Sequence, residues 1–398
     1  MTTTFPHSTE SDQATRSVPR RAALACLGLT LAAIQFSIAI GQIFLALALV
    51  AWAVTLVMER RRPAAPAWML PLALYAGWTL ISAAVSPDVA ASLHECRQLV
   101  LLLLVPLTYD IVTEESAVAL TTVILAAGAA SALVGIGQYS LLHYDNLGLR
   151  PRSTLGLYMT FSGLMMLVLN LALARVLFTT KSRMWAALVV PALAVALALS
   201  LGRNNWVGAF CGVAVLLVMR DFRLTALLPV AAAIFFSVAP NIIVQRFYSI
   251  FDLQNLSNRD RLAMARAGVK IIRAHPVTGV GPNMIARAYP EYRDASAVLQ
   301  TPPHLHNVPL QIAAERGLPA LALWLWFVGA ALAGTIRLFR DAPLAGPGRF
   351  LAANALATLV AMLASGMFEH NFGDSEFQMV FLVLITLPFA VARRAARA

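Results

Sequence analysis

The sequence predicts an all-α polytopic membrane protein with about twelve transmembrane helices and one long helical outward-facing loop between the ninth and tenth spans. Composition is the first reason. The 398 residues are 59% hydrophobic and 12% charged, with a mean hydropathy of +0.73, whereas an ordinary soluble domain is about 25% charged. Apolar runs are the second, since many approach the roughly 20 residues that an α-helix needs to cross a bilayer. The third is the placement of arginine, which alternates between loops as it does in multi-pass membrane proteins.

The runs cover residues 22–38, 41–58, 68–86, 97–113, 117–140, 157–178, 184–201, 206–219, 223–239, 318–336, 351–366 and 376–392. A polar leader, residues 1–21, precedes the first and reads as disordered and cytoplasmic; the run after it is too long for the apolar region of a cleavable signal peptide. Residues 22–239 then hold nine spans, 240–317 form a loop domain, and 318–398 hold three more spans and a cytoplasmic tail. On the side of the N-terminus lie Arg20 and Arg21, Arg60 to Arg62, Arg220 and Arg223, Arg337 and Arg340, and Arg393 and Arg394. The short loops opposite hold only Arg150, Arg152 and Arg203, with Arg97 at a span edge. By the positive-inside rule the long loop faces outward. The net charge of +11 is therefore a matter of topology, and no nucleic-acid partner follows from it. The partners it does imply are membrane lipids. Cys26, Cys96 and Cys211 are the three cysteines, and their spacing gives neither a disulfide framework nor a thiolate metal site.

Candidate chemistry collects on the outward side. In TPPHLHNVPLQIAAERGLP, Thr301 to Pro319, Asn307 is a favoured N-cap, Pro309 suits a first helical turn, and Gly317 with Pro319 stops the helix. His306 thus directly precedes a helix over 308–316, whose positive dipole end favours neutral imidazole. Over 258–273, Leu262, Ala265, Val269 and Ile272 share one helical face, and Arg259, Arg266, Lys270 and Arg273 form a stripe beside it. Arg261 lies on the opposite border of that face. HPVTGVGPN then breaks the helix. Arg203, in SLGRNNW, stands alone against the positive-inside trend, and such arginines are paired, functional or interface anchors. The last outward loop, MFEHNFGDSE, packs Glu369, His370, Asp374 and Glu376 into ten residues. His304 and His306, with Glu315 nine residues on, match no HExxH or closed cysteine–histidine spacing, so no metal is expected. GVGP lacks the lysine of a phosphate-cradling loop, and no cofactor is expected either.

SLGRNNWVGAF, DRLAMARAGVKIIRAHPVTGVGPN and HLHNVPLQIAAERGLPAL resemble, in that order, the three motifs of the bacterial O-antigen ligase and polymerase superfamily, over about Leu201 to Leu321. FEHNFGDSE is similar to the ligase branch. The resemblance implies a metal-independent, inverting glycosyltransferase of the bacterial inner membrane. Its substrates would be an undecaprenyl-diphosphate-linked glycan and a lipid A-core acceptor, met at an active site facing the periplasm. Carried over by motif, the essential histidine falls on His306, the first-motif arginine on Arg203, and the arginine before the HPxxGxGP turn on Arg261. Arg266, Asn307, His304, Glu315 and Asp374 follow as substrate-binding positions. Gly202 replaces the family's usual serine, and Ala265 stands where many members have tryptophan, which leaves Arg259 and Arg266 open as alternatives to Arg261. An O-antigen polymerase or a protein-glycosylating ligase would carry the same motifs. A transporter would need ionisable groups in mid-span and related halves, and the spans have almost none.

Overall fold

The computed structural model describes residues 18–180, 183–343 and 346–395; the expected disordered leader lies outside them up to residue 17. The described residues are helical, with no strand. In chain order the α-helices are α1 Val18–Ala33, α2 Ile38–Met58, α3 Met69–Ala84, α4 Val89–Glu95, α5 Leu104–Ile111, α6 Glu114–Leu141, α7 Tyr158–Phe178, α8 Arg183–Leu199, α9 Arg203–Arg220, α10 Leu227–Val238, α11 Asn241–Tyr248, α12 Leu256–Ala274, α13 Ile285–Tyr292, α14 Val308–Asp341, α15 Pro347–Gly366 and α16 Ser375–Ala395. Residues 18–21, expected in the leader, belong to helix α1. Every apolar run of the sequence falls on helix. Among the described residues seven segments are long and apolar enough to cross a membrane: α2, Val89–Ile111, α6, α7, α14, α15 and α16.

Local signals place several of these ends. Thr113 and Ser116 form a reciprocal capping box at the start of α6, where Glu114 and Glu115 also meet the positive end of the dipole. Asn307 caps α14 through its side-chain oxygen, which accepts the Leu310 N–H at 2.9 Å. The helix after it does not stop at Gly317. It breaks there, at φ 80°, and runs on to Asp341, because Pro319 sits in the first turn of the next segment and needs no N–H partner.

Helices α7, α15 and α16 form the enclosed centre, with α9 packed on α15 and α7. Close approach is set by small residues: a Cβ at Gly208 would meet Met166 Sδ at 2.3 Å and Ala361 O at 2.7 Å. At one end of this bundle buried Asp110 gathers the basic residues of three segments. It accepts from Trp52 Nε1 at 2.9 Å, Arg393 Nη1 at 3.3 Å and Arg61, while Arg20 and Arg394 donate to its carbonyl.

At the other end the HPVTGVGPN turn locks onto the break in α14. Val280 N–H donates to Ala314 O at 3.0 Å, Gly281 N–H to Glu315 O at 2.8 Å, and Leu318 N–H to Pro276 O at 2.8 Å. One correction concerns α12. Its buried face is Asp260, Ala263, Met264, Ala267, Gly268 and Ile271, and Leu262 and Val269 of the expected apolar face are exposed. Small residues win because they admit α14: a Cβ at Gly268 would already touch Leu310 at 2.8 Å.

The interlock makes Gly317 a sharp test. A Cβ there would meet Val277 O at 1.9 Å, on a residue already at φ 80°. Gly317→Ala is expected to cost at least the roughly 1–3 kcal/mol of a strained backbone. Thermal unfolding of the detergent-purified protein should show a drop of several degrees, and an unchanged midpoint would contradict the interlock.

Candidate active site at one end of the bundle

Helices α7, α9, α14 and α16 all begin at the end opposite Asp110, so four helix N-termini converge there with their positive dipole ends. Each start is pinned by side chains. Asn204 Nδ2 donates to Ser365 Oγ at 3.3 Å, Asn205 Nδ2 to Ser162 Oγ at 3.0 Å, and Ser365 Oγ to Asn205 Oδ1 at 2.7 Å. These bonds tie α9 to α7 and α15. Gly202 has a local reason as well, because a Cβ there would meet Ser162 Oγ at 2.5 Å.

Arg203, the first residue of α9, is 5% exposed. Its Nη1 donates to Ser249 O at 2.6 Å and Ser249 Oγ at 3.1 Å, and its buried Nη2 has no partner. Asn258, at the start of α12, donates to the same Ser249 carbonyl at 2.9 Å. That shared acceptor brings α12 against α9. Arg203 and Arg261 consequently line one pocket of about 60 Å³ with Asn204, Asn258 and Phe368. Arg261 Nε is buried without a partner. Arg266 instead points away and pairs with Asp294 at 3.6 Å, and Arg259 is exposed. Among the three arginines that the motif left open, Arg261 is the one that reaches Arg203.

Asn204 also borders a second cleft, of about 180 Å³, whose walls include His304, Glu369, His370, Asp374 and Thr160. Here Glu369 joins the two histidines. His306 Nδ1 lies 3.0 Å from Glu369 Oε2, and His304 Nε2 lies 3.6 Å from Oε1. Burial alone would raise the Glu369 carboxyl, but the His306 hydrogen bond and the neighbouring imidazoles hold it down to about 2. An ionised carboxylate only accepts, so His306 donates through Nδ1, and in the tautomer this favours Nε2 is the acceptor nitrogen. His304 is arranged the other way. Its Nδ1 accepts the His306 main-chain N–H at 3.3 Å, so its proton sits on Nε2, and burial lowers it to about 4 despite Glu369. His306 therefore offers a free basic nitrogen and His304 does not. The turn that aims them puts His306 at φ 51°, in the left-handed region.

The other expected positions divide. Asn307 caps α14 and donates to Met367 O at 3.0 Å, which ties the histidine loop to the loop of Glu369. Asp374 lies in the cleft wall, accepting from the Thr160 hydroxyl and the Phe377 N–H, and burial raises its carboxyl. Glu315 is not in the cleft. It accepts from Asn283 N at 2.8 Å and pairs with Arg316 at 2.7 Å, so it secures the glycine turn. Glu369 was visible in the sequence only as one acid of a polar loop, because it acts on a histidine 63 residues away. His304, His306 and Glu369 also have donor atoms within 4.8 Å of one another, a set able to take a cation. Any metal there would have to displace the His306–Glu369 bond.

The fold and this site define a multi-pass helical membrane protein whose outer or inner face presents arginines and a carboxylate-held histidine at converging helix ends. A family model described as O-Antigen ligase matches residues 176–325. Over that stretch, rather less than half of its length, the chain is similar to the O-antigen ligase superfamily. The match includes Arg203, Arg261, His304 and His306, while Glu369 and Asp374 lie beyond it. No curated protein matches the chain.

The cluster has a pH signature. His370, like His304, is lowered by burial, to about 3. A histidine whose folded value lies below its ordinary 6.5 binds protons more readily when unfolded. Its share of stability is complete above about pH 6.5 and is lost as pH falls towards 4. The unfolding midpoint should fall between pH 7 and pH 5, and His304→Gln should lessen that fall. Equal midpoints in the wild type at both values would contradict the buried neutral histidines.

Proposed function

We propose that the protein is an O-antigen ligase. In this reading it transfers a glycan from undecaprenyl diphosphate to lipid A-core, at the periplasmic face of the inner membrane, in a bundle crossing about twelve times. The observation that carries it is the pairing of a base-competent His306 with carboxylate-free Arg203 and Arg261 at one end of the bundle.

The chemistry needs a base for a sugar hydroxyl and cations for a diphosphate leaving group. His306 Nε2 takes the acceptor hydroxyl proton as that oxygen attacks the anomeric carbon from the face opposite the diphosphate. The anomeric carbon–oxygen bond to the diphosphate breaks, the carbon inverts, and undecaprenyl diphosphate leaves with the bonding pair. Arg203 and Arg261 receive the charge that grows on it, in the forked geometry suited to phosphate oxygens. Glu369 holds the imidazole in its working tautomer and stabilises the imidazolium that forms, as a carboxylate does in a hydrolase triad. Asp374 and Thr160 line the cleft on the acceptor side. Guanidinium groups fill the role a divalent ion would have, so the transfer is metal-independent. FEHNFGDSE supports the ligase reading over a polymerase, since it supplies both Glu369 and Asp374.

Transfer from undecaprenyl diphosphate glycan to purified acceptor, in detergent, tests this directly. His306→Ala should lose about 10²- to 10⁴-fold in rate, the usual worth of a general base, with donor binding kept. His304→Ala should lose far less, and Glu369→Gln should lie between them. A dead His304→Ala beside an active, folded His306→Ala would reverse the base assignment.

A second measurement addresses the cation-capable trio. Activity is expected to survive EDTA without added divalent ion. Abolition by chelation with rescue by zinc would make His304, His306 and Glu369 metal ligands and remove the base from His306.

A further inference from the structure

At the end of the bundle that holds Asp110, a cavity of about 400 Å³ opens between α1 and α6, against about 180 Å³ for the cleft of His304 and Glu369. Its size lies within the roughly 300–1,000 Å³ of small-molecule sites. The polar wall is made of Arg20 and Arg21, at the start of α1, and of Glu114 and Glu115, in the first turn of α6. The apolar wall is made of Leu24, one turn further along α1, and Ile111, the last residue of α5. Both walls are held in place. Arg20 is 8% exposed, and its Nη2 donates to Asp110 O at 3.1 Å and Ile111 O at 3.2 Å, which leaves its other nitrogens without a protein acceptor among the described residues. The capping box of Thr113 and Ser116 fixes the start of α6.

Each of the four charges has an ordinary role, since arginines at a helix start set topology and glutamates in a first turn meet the positive end of the dipole. Neither role accounts for opposite charges that share a cavity and do not pair. Among the described residues no ion pair includes Arg20, Arg21, Glu114 or Glu115, although at the same end Arg61 pairs with Glu59 and Asp110, and Arg393 lies 3.3 Å from Asp110. The space between the walls keeps the two signs apart. A ligand that satisfies both walls carries an anion towards the arginines and a cation towards the carboxylates. A purely anionic headgroup gains at one wall and is repelled at the other. A quaternary ammonium has no N–H to give a carboxylate, whereas a primary ammonium has three.

We infer that this cavity is a binding site for a zwitterionic phospholipid with a primary-amine headgroup, phosphatidylethanolamine. Its phosphodiester lies on Arg20 and Arg21, its ammonium on Glu114 and Glu115, and the first methylenes of its chains on Leu24 and Ile111. The site lies at the opposite end of the bundle from the histidines and is independent of the transfer proposed above. Arg20 already holds two α5 carbonyls, and Asp110 receives Trp52 of α2 and Arg393 of α16. A lipid between α1 and α6 therefore braces the end where α1, α2, α5, α6 and α16 meet, and it stabilises the folded chain by mass action.

The test uses the delipidated full chain in detergent, with phosphatidylethanolamine, phosphatidylcholine and phosphatidylglycerol of identical acyl chains. Bound lipid is counted by native mass spectrometry, and the unfolding midpoint is followed against lipid concentration. Phosphatidylethanolamine should bind about 10-fold more tightly than either of the others and raise the midpoint, as charge-assisted bonds at both walls require. Glu114→Gln combined with Glu115→Gln should abolish the preference over phosphatidylcholine and let phosphatidylglycerol bind more tightly than it does to wild type, a gain that lost structure does not give. Arg21→Gln should weaken phosphatidylethanolamine by about 3-fold or more, while Arg60→Gln, at an exposed position of the same end outside the cavity, should match the wild type. Midpoints without lipid show which variants are folded. Equal binding of the three lipids by wild type, or an intact preference in the folded glutamate double variant, would overturn the inference. Equal binding of glycerophosphoethanolamine, which has the headgroup but no chains, would overturn the assignment to a lipid.

Discussion

What the two histidines can do is decided by one buried carboxylate. Glu369 takes the proton-bearing Nδ1 of His306, and the main-chain N–H of His306 occupies the lone pair of His304. Two imidazoles with ring centres 4.1 Å apart thereby acquire different roles. Without Glu369 the tautomer of His306 would be free, and its left-handed backbone would hold a side chain with no fixed direction. The Asn307 bond to Met367 and the cap on α14 keep the two loops in register, so this interaction draws on the ends of α14, α15 and α16 at once.

The two ends of the bundle use arginine in opposite ways. Around Asp110 the guanidinium groups are bonded to a carboxylate or to main-chain carbonyls, and they tie α1, α5 and α16 together. Around Arg203 and Arg261, which line one pocket near helix N-termini, no acid pairs with them among the described residues. Such an arrangement destabilises the empty protein through like-charge repulsion and unsatisfied donors. The tight bonding elsewhere, at Asn204, Asn205, Ser249 and Asn258, holds it in place. On the reading proposed above, a bound diphosphate would supply the missing acceptors, and cations already held in place would leave little reorganisation for the transfer step.

Much of the fold was legible in the apolar runs, each of which is helical, and the N-cap at Asn307 and the break at Gly317 were readable from residue type alone. Motif order also singled out Arg203 and Arg261, which line one pocket. The face of α12 was not, since periodicity weighs residues by hydrophobicity and the packing there is governed by size: Ala263, Ala267 and Gly268 are buried so that α14 can approach. Glu315 was misplaced for a related reason, because its proximity to His306 along the chain hides a helix that carries it into the glycine turn. The pairing of Glu369 with His306 could be seen only in three dimensions. The loop was marked by its polarity, but the histidine that Glu369 holds lies 63 residues away.

Whether this site joins a finished glycan to lipid A-core is tested most directly in cells. The gene is deleted and the strain complemented with wild type or His306→Ala, and lipopolysaccharide is resolved on a gel beside the undecaprenyl-linked pool. A ligase at this site makes the whole ladder vanish on deletion while undecaprenyl-linked glycan accumulates, with rescue by wild type alone. Retention of a band carrying a single repeat would contradict it and make the protein a polymerase.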